Sequence, residues 1–89
     1  MRIYQSRKVA IETRYLGPTN FRGSRYKAGT ESGRRITIEA ADNLSAEENH
    51  RAAAVALCEK MGWTDGDLIE GGTPKGYVYV FVSGAMAKD

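Results

Sequence analysis

A chain of 89 residues with a formal net charge of +2 has room for one hydrophobic core and excludes a second domain. Its 42% hydrophobic and 27% charged residues are typical of a globular protein and exclude a disordered one. Residues 1–41 hold nine Lys and Arg against three Asp and Glu, whereas residues 42–89 hold four against eight. This division fits a polyanion on the basic half, a second copy paired basic half to acidic half, or merely a solvated surface.

The first half of the chain predicts three strands. The first runs from Lys8 to Leu16, where β-branched residues alternate with polar ones, until Gly17 and Pro18 end it. Ser24–Ala28 and Arg35–Glu39 follow, joined by a hairpin connection between two glycines, Gly29 and Gly33. We expect Ile36 and Ile38 on the buried side of the third strand.

An amphipathic helix over Ser45–Met61 is the best-supported element. Ser45 and Glu48 form a capping box, in which each side chain accepts from the backbone N–H of the other residue. Its core-facing stripe is predicted at Ala54, Leu57, Cys58 and Met61, with His50 at its edge. Gly62 is placed to close the helix in the left-handed conformation, with Trp63 folding back on the last turn.

Two further strands complete the order β-β-β-α-β-β. Leu68–Glu70 is a short strand, residues 71–76 are predicted as a loop, and Tyr77–Val82 is apolar on both faces and therefore expected inside the sheet or covered by a partner. The sequence thus predicts an α+β fold: a small antiparallel sheet of four to five strands with one helix on one face. We expect one domain over residues 1–89, with an ordered core of about 7–82 and a flexible tail at 83–89.

Few residues fit catalytic or metal chemistry. The single histidine and cysteine, His50 and Cys58, lie eight positions apart on the helix, roughly 12 Å along its axis, which is too far for a catalytic pair. Their spacing matches no metal-ligand pattern, and the glycine-rich segment at 71–76 lacks the ending of a phosphate-binding loop. We therefore expect neither an enzyme nor a cofactor.

Location follows from what the sequence lacks. Its longest apolar run, residues 77–82, is far shorter than the roughly 20 residues that span a membrane. The basic N-terminus has no apolar stretch behind it, and one cysteine cannot form an internal disulfide. These features predict a cytoplasmic protein.

The segment from Arg14 to Arg35 is the least generic part of the chain. It places six cations against one acid, Glu31, and interleaves three aromatic residues, Tyr15, Phe21 and Tyr26. Cations neutralise phosphates, and aromatic faces stack on bases. If Tyr26 is a core residue, stacking must come from Phe21. The alternative is a turn and a basic strand edge that guard against aggregation.

Several short motifs carry a resemblance that covers most of the chain from Thr13 to Val82. They are Tyr15-Leu16-Gly17-Pro18-Thr19-Asn20, Arg22-Gly23-Ser24-Arg25, Lys27-Ala28, His50 with Ala53-Ala54, Gly62-Trp63, Gly71-Gly72, Gly76-Tyr77-Val78 and Phe81-Val82. In these the chain resembles a group of small proteins encoded in bacterial genomes, often on phage or plasmid segments, which has no established activity. The resemblance implies a mobile-element context and no mechanism.

Together, composition and resemblance select the candidate anion-binding or nucleic-acid-binding residues. They are Arg14, Asn20, Arg22, Ser24, Arg25, Lys27, Arg34, Arg35 and His50. The first hypothesis is a small accessory protein that binds nucleic acid. The second is a protein-interaction module that meets an acidic partner surface or pairs with its own copy, for instance through the last strand. The third is an enzyme on a phosphorylated small molecule, with His50 as acid–base.

Overall fold

A computed structural model describes residues 10–64 and 66–82 as five strands and one helix. The elements are β1 (Ile11–Leu16), β2 (Arg25–Gly29), β3 (Arg35–Glu39), α1 (Ala46–Met61), β4 (Leu68–Thr73) and β5 (Gly76–Phe81). The strands form one sheet in the order β3-β2-β1-β5-β4, and every neighbouring pair is antiparallel. The predicted α+β fold and its element order are confirmed.

The two faces of the sheet differ because side chains alternate along each strand. On β1, Ile11 and Thr13 are buried whereas Glu12 and Arg14 are exposed. The buried side lies under α1 and is called the helix face below. The other side is called the open face, since no described element packs on it.

The core fills the space between α1 and the helix face. Its buried hydrophobic residues are Ile11, Tyr26, Ala28, Ala53, Ala54, Leu57, Cys58, Tyr79 and Phe81. Ala53 and Ala54 on the helix and Ala28 on β2 are completely inaccessible to solvent. Because alanine side chains are short, the helix backbone lies close to the strands.

Both ends of the helix are closed as the sequence predicted. Ser45 Oγ accepts from the Glu48 N–H at 3.1 Å, and the Glu48 carboxylate accepts from the Ser45 N–H at 2.9 Å. Gly62 adopts φ 74°, and the Trp63 N–H reaches back to the Cys58 carbonyl at 2.8 Å. This is a Schellman motif, and the Trp63 ring packs edge-on against Phe81.

The β4–β5 hairpin is tighter than the sequence indicated. The loop predicted at residues 71–76 is wrong, because β4 continues to Thr73 and only Pro74 and Lys75 lie between the strands. Gly71 and Gly72 pair with Val78 and Tyr77 on the neighbouring strand. Glycines disfavour strands through entropy, but here the ladder to β5 holds them in place.

β5 lies between β1 and β4, as its apolar sequence predicted. With both edges occupied, this last strand cannot pair with a second copy, so that form of the dimer hypothesis is wrong. Among the described strands, β3 and β4 are the two at the edges of the sheet. Within the described residues, α1 is too short and too polar to cross a bilayer. The predicted strand residues Lys8 and Val9 and the predicted tail lie outside the described residues.

Candidate nucleic-acid interface

A groove of ≈ 590 Å³ crosses the open face. Its walls come from β1, β2, the turn that follows β2, and the β4–β5 turn. Three cations line it, Arg14, Lys27 and Lys75, together with two acids, Glu12 and Glu31. The groove therefore carries both charges, with the positive charge in slight excess.

The strand register separates the two charges. Glu12 lies opposite Gly29, toward the turn that contains Glu31, whereas Arg14 lies opposite Lys27, one row closer to the β1–β2 loop. Like charges directly opposite on neighbouring strands repel each other and destabilise a sheet. Among residues 10–64 and 66–82, no carboxylate lies within 4 Å of either cation. The cross-strand pair of Arg14 and Lys27, called the basic row below, is thus a place where a bound anion would relieve the repulsion between the two charges.

Three more of the candidate arginines lie at the β2–β3 side of the sheet. Arg25 stands between Leu16 and Glu39, and its Nε atom is buried without a hydrogen-bond partner among the described residues. Arg34 and Arg35 are exposed around the β2–β3 turn. These side chains extend the positive surface beyond the groove itself.

The β1–β2 loop, residues 17–24, carries Asn20, Arg22 and Ser24. Asn20 and Arg22 are exposed, whereas the Ser24 hydroxyl hydrogen-bonds the Tyr15 hydroxyl at 2.9 Å. Phe21, between Asn20 and Arg22, is 94% exposed. Tyr26 is buried in the core, so its ring cannot stack on a base, whereas the solvent reaches the Phe21 ring.

His50 does not share this surface. It is buried on the helix face, with Nδ1 2.8 Å from Thr13 Oγ1 and its ring packed against Tyr26 and Tyr77. Burial lowers the pKa of His50, and the nearby charge of Glu70 offsets this only in part. The structure thus places His50 on the helix face, whereas the candidate cations within strands lie on the open face: Arg14, Arg25, Lys27 and Arg35.

Lys75 also lines the groove, but it was not among the site residues predicted from the sequence. It is a turn residue between Pro74 and Gly76, and only the pairing of β5 with β1 brings that turn beside Arg14. Lys75 and Arg14 are about sixty positions apart in the sequence, so no local sequence pattern predicts that they lie side by side. A two-residue turn at Pro74-Lys75 would have put Lys75 at the tip of the β4–β5 hairpin, but not beside Arg14.

A second polar cluster links α1 to β4. The Arg51 guanidinium donates two hydrogen bonds of 2.9 Å to the Glu70 carboxylate, which also accepts one of 2.8 Å from the Tyr79 hydroxyl. These donors hold the pKa of Glu70 below its usual range. All three groups satisfy one another, which indicates a structural link.

Neither a search for metal-binding side chains nor a comparison with known proteins assigns a further function to the described residues. Over residues 10–64 and 66–82, no three His, Cys, Asp or Glu side chains lie close enough to hold a metal ion. Burial raises the pKa of the Cys58 thiol, as for an inert core cysteine. A scan of protein-family models and searches of curated proteins and solved structures gave no match to the chain.

Proposed function

We propose that this protein binds nucleic acid through the open face of its sheet. The observation that carries the proposal is the cross-strand pair of Arg14 and Lys27, whose charges face each other without a carboxylate partner among the described residues. A protein gains nothing in stability from such a pair. A phosphate bound between the two side chains turns their repulsion into attraction.

The open face suits this role better than the helix. A helix that enters a DNA groove presents neutral or basic residues to the phosphates. The exposed side of α1 instead carries three acids, Glu47, Glu48 and Glu59, against two bases, of which Arg51 is already paired with Glu70 and the other is Lys60. Those acids would repel the phosphate backbone, so the cationic half of the sheet is the favoured contact surface.

The test is the salt dependence of binding to mixed-sequence oligonucleotides. Each phosphate contact adds about 0.7 for single strands or about 0.9 for duplexes to the negative slope of log affinity against log salt. Arg14→Gln and Lys27→Gln should each weaken binding and reduce that slope by about one such contact. Since each removes like-charge repulsion, neither should lower the free energy of unfolding.

Lys60→Gln is the matched control. Lys60 is a cation at the end of α1, where its Nζ hydrogen-bonds the Arg35 carbonyl. Its loss changes the net charge by the same amount without touching the groove. The proposal fails if no oligonucleotide binds at about 50 mM salt, or if Lys60→Gln weakens binding as much as Arg14→Gln.

Self-association is a second candidate, favoured by the position of β4. Among the residues that the structure describes, this strand is at an edge of the sheet, and Ile69, on the open face, is 40% exposed. A second copy that pairs edge to edge with β4 would cover Ile69. Sedimentation equilibrium tests it, and a monomer at millimolar concentration excludes it.

The cytoplasmic location, the mobile-element context and an acidic protein partner remain predictions.

A further inference from the structure

We infer that the nucleic acid is single-stranded and that the Phe21 ring stacks on one of its bases. The inference rests on the proposed function of the open face and specifies the class of ligand. It concerns a residue that takes no part in the fold, since Phe21 is 94% exposed and lies outside the core.

Phe21 is far more exposed than the other two aromatic residues between Arg14 and Arg35. Tyr26 is only 6% exposed, and Tyr15, at 48%, packs against the Tyr26 ring and donates or accepts a hydrogen bond with Ser24. Phe21 therefore presents a ring that a base can cover. Stacking on an aromatic ring needs no base-specific hydrogen bond, so it suits a strand of any sequence.

The loop holds Phe21 in place. Thr19 Oγ1 accepts hydrogen bonds from the N–H groups of Phe21 at 3.2 Å and Arg22 at 3.0 Å, and the Thr19 N–H donates to the Arg22 carbonyl at 2.7 Å. A side chain on such an organised turn loses less conformational entropy on binding than one on an unstructured loop. The exposed ring is thus presented by a defined turn.

Phe21 and the basic row belong to one hairpin. The loop that carries Phe21 joins β1 to β2, and Leu16 pairs with Arg25 at the loop end of these strands. Arg14 and Lys27 are the next row on the same face, about 7 Å further along. If the sugar-phosphate backbone of a nucleic acid follows these cations toward the β1–β2 loop, its bases come within reach of the Phe21 ring. Inside a duplex those base faces are covered by neighbouring base pairs, so away from the duplex ends the ring can stack only on the bases of an unpaired strand.

The experiment compares affinities for a single strand of about 16 nucleotides and for the same sequence as a blunt duplex. Fluorescence anisotropy is measured for the wild type and for Phe21→Trp, Phe21→Leu and Phe21→Ala. We expect the wild type to prefer the single strand. Phe21→Ala should lose about 5- to 150-fold in single-strand affinity with an unchanged salt slope, and Phe21→Leu nearly as much. Phe21→Trp should retain the wild-type affinity.

The outcomes separate this inference from the proposed function. Equal affinity for both forms, or wild-type affinity in Phe21→Leu, overturns the inference and leaves phosphate binding by Arg14 and Lys27 standing. Leucine keeps apolar surface without a stacking face, so that second result would indicate an apolar contact such as a protein partner makes. No binding of either form overturns both proposals.

Discussion

His50 Nδ1 lies 2.8 Å from Thr13 Oγ1, and this hydrogen bond joins the helix to the central strand of the sheet. Both residues are buried, and Tyr26 and Tyr77 pack against the imidazole ring. The only histidine in the chain is therefore part of the contact between the two layers of the fold. Its protonation state should be coupled to folding.

We predict that stability falls as the pH drops below about 6.5, the ordinary pKa of histidine. Burial lowers the pKa of His50 in the folded protein, so the unfolded chain takes up the proton more readily. The stabilising contribution of neutral His50 is therefore fully present above about pH 6.5. It is lost as the pH falls from the unfolded pKa through the folded pKa, because protonation favours the unfolded chain. Urea unfolding at about pH 7 and pH 5.5 measures it.

His50→Gln is the control for that pH dependence. No other side chain has an ordinary pKa in this range, so the variant should show little change in its unfolding midpoint between the same two pH values. A wild-type midpoint that stays constant, or one that rises at low pH, would contradict the buried neutral histidine.

Thr13→Val should cost about 1–3 kcal/mol of unfolding free energy. Valine has the shape of threonine but no hydroxyl, so the imidazole Nδ1 loses its partner in a buried site. The matched control is Thr37→Val on the open side of β3, where the side chain is exposed. Chemical denaturation should show Thr37→Val within about 0.5 kcal/mol of the wild type. Similar losses for both variants would mean that the Thr13 hydroxyl contributes nothing specific.

Much of the fold was predictable because its signals are local. The capping box of Ser45 and Glu48, the Gly62 closure and the alternation of β1 each depend on residues only a few positions apart. The β4–β5 hairpin was not, since Gly71 and Gly72 are strand residues only through their pairing with β5. Local propensity favoured a loop, and the tertiary ladder overrode it.

The candidate site divides in the same way. Arg14 and Lys27 were selected by composition, and their opposition across two strands follows from the hairpin that joins them. The position of Lys75 depends on the pairing of β1 with β5, and the burial of His50 depends on where the helix crosses the sheet. Both are long-range outcomes of packing, which no spacing in the sequence encodes.

Gly76→Ala should destabilise the protein by about 1–3 kcal/mol. A Cβ atom at this position would overlap the backbone carbonyl of Thr13 and would lie 3.3 Å from His50 Cε1. The strand pair β1–β5 must then move apart, and the core moves with it. Gly72→Ala is the matched control on β4, because a Cβ there meets no atom within 4 Å. Equal melting temperatures for the two variants would contradict this close approach.

Gly62→Ala should cost about 1–2 kcal/mol for a purely conformational reason. Gly62 ends the helix at φ 74°, a left-handed conformation that residues with a Cβ disfavour, although an added Cβ would meet no atom within 4 Å. Gly23→Ala has the same open surroundings without a left-handed backbone, so thermal unfolding should leave its midpoint nearly unchanged. Because one kcal/mol shifts the midpoint of a domain this small by about 4–8 °C, calorimetry resolves the difference. A midpoint for Gly62→Ala equal to that of Gly23→Ala would show that the helix can end without the Schellman geometry.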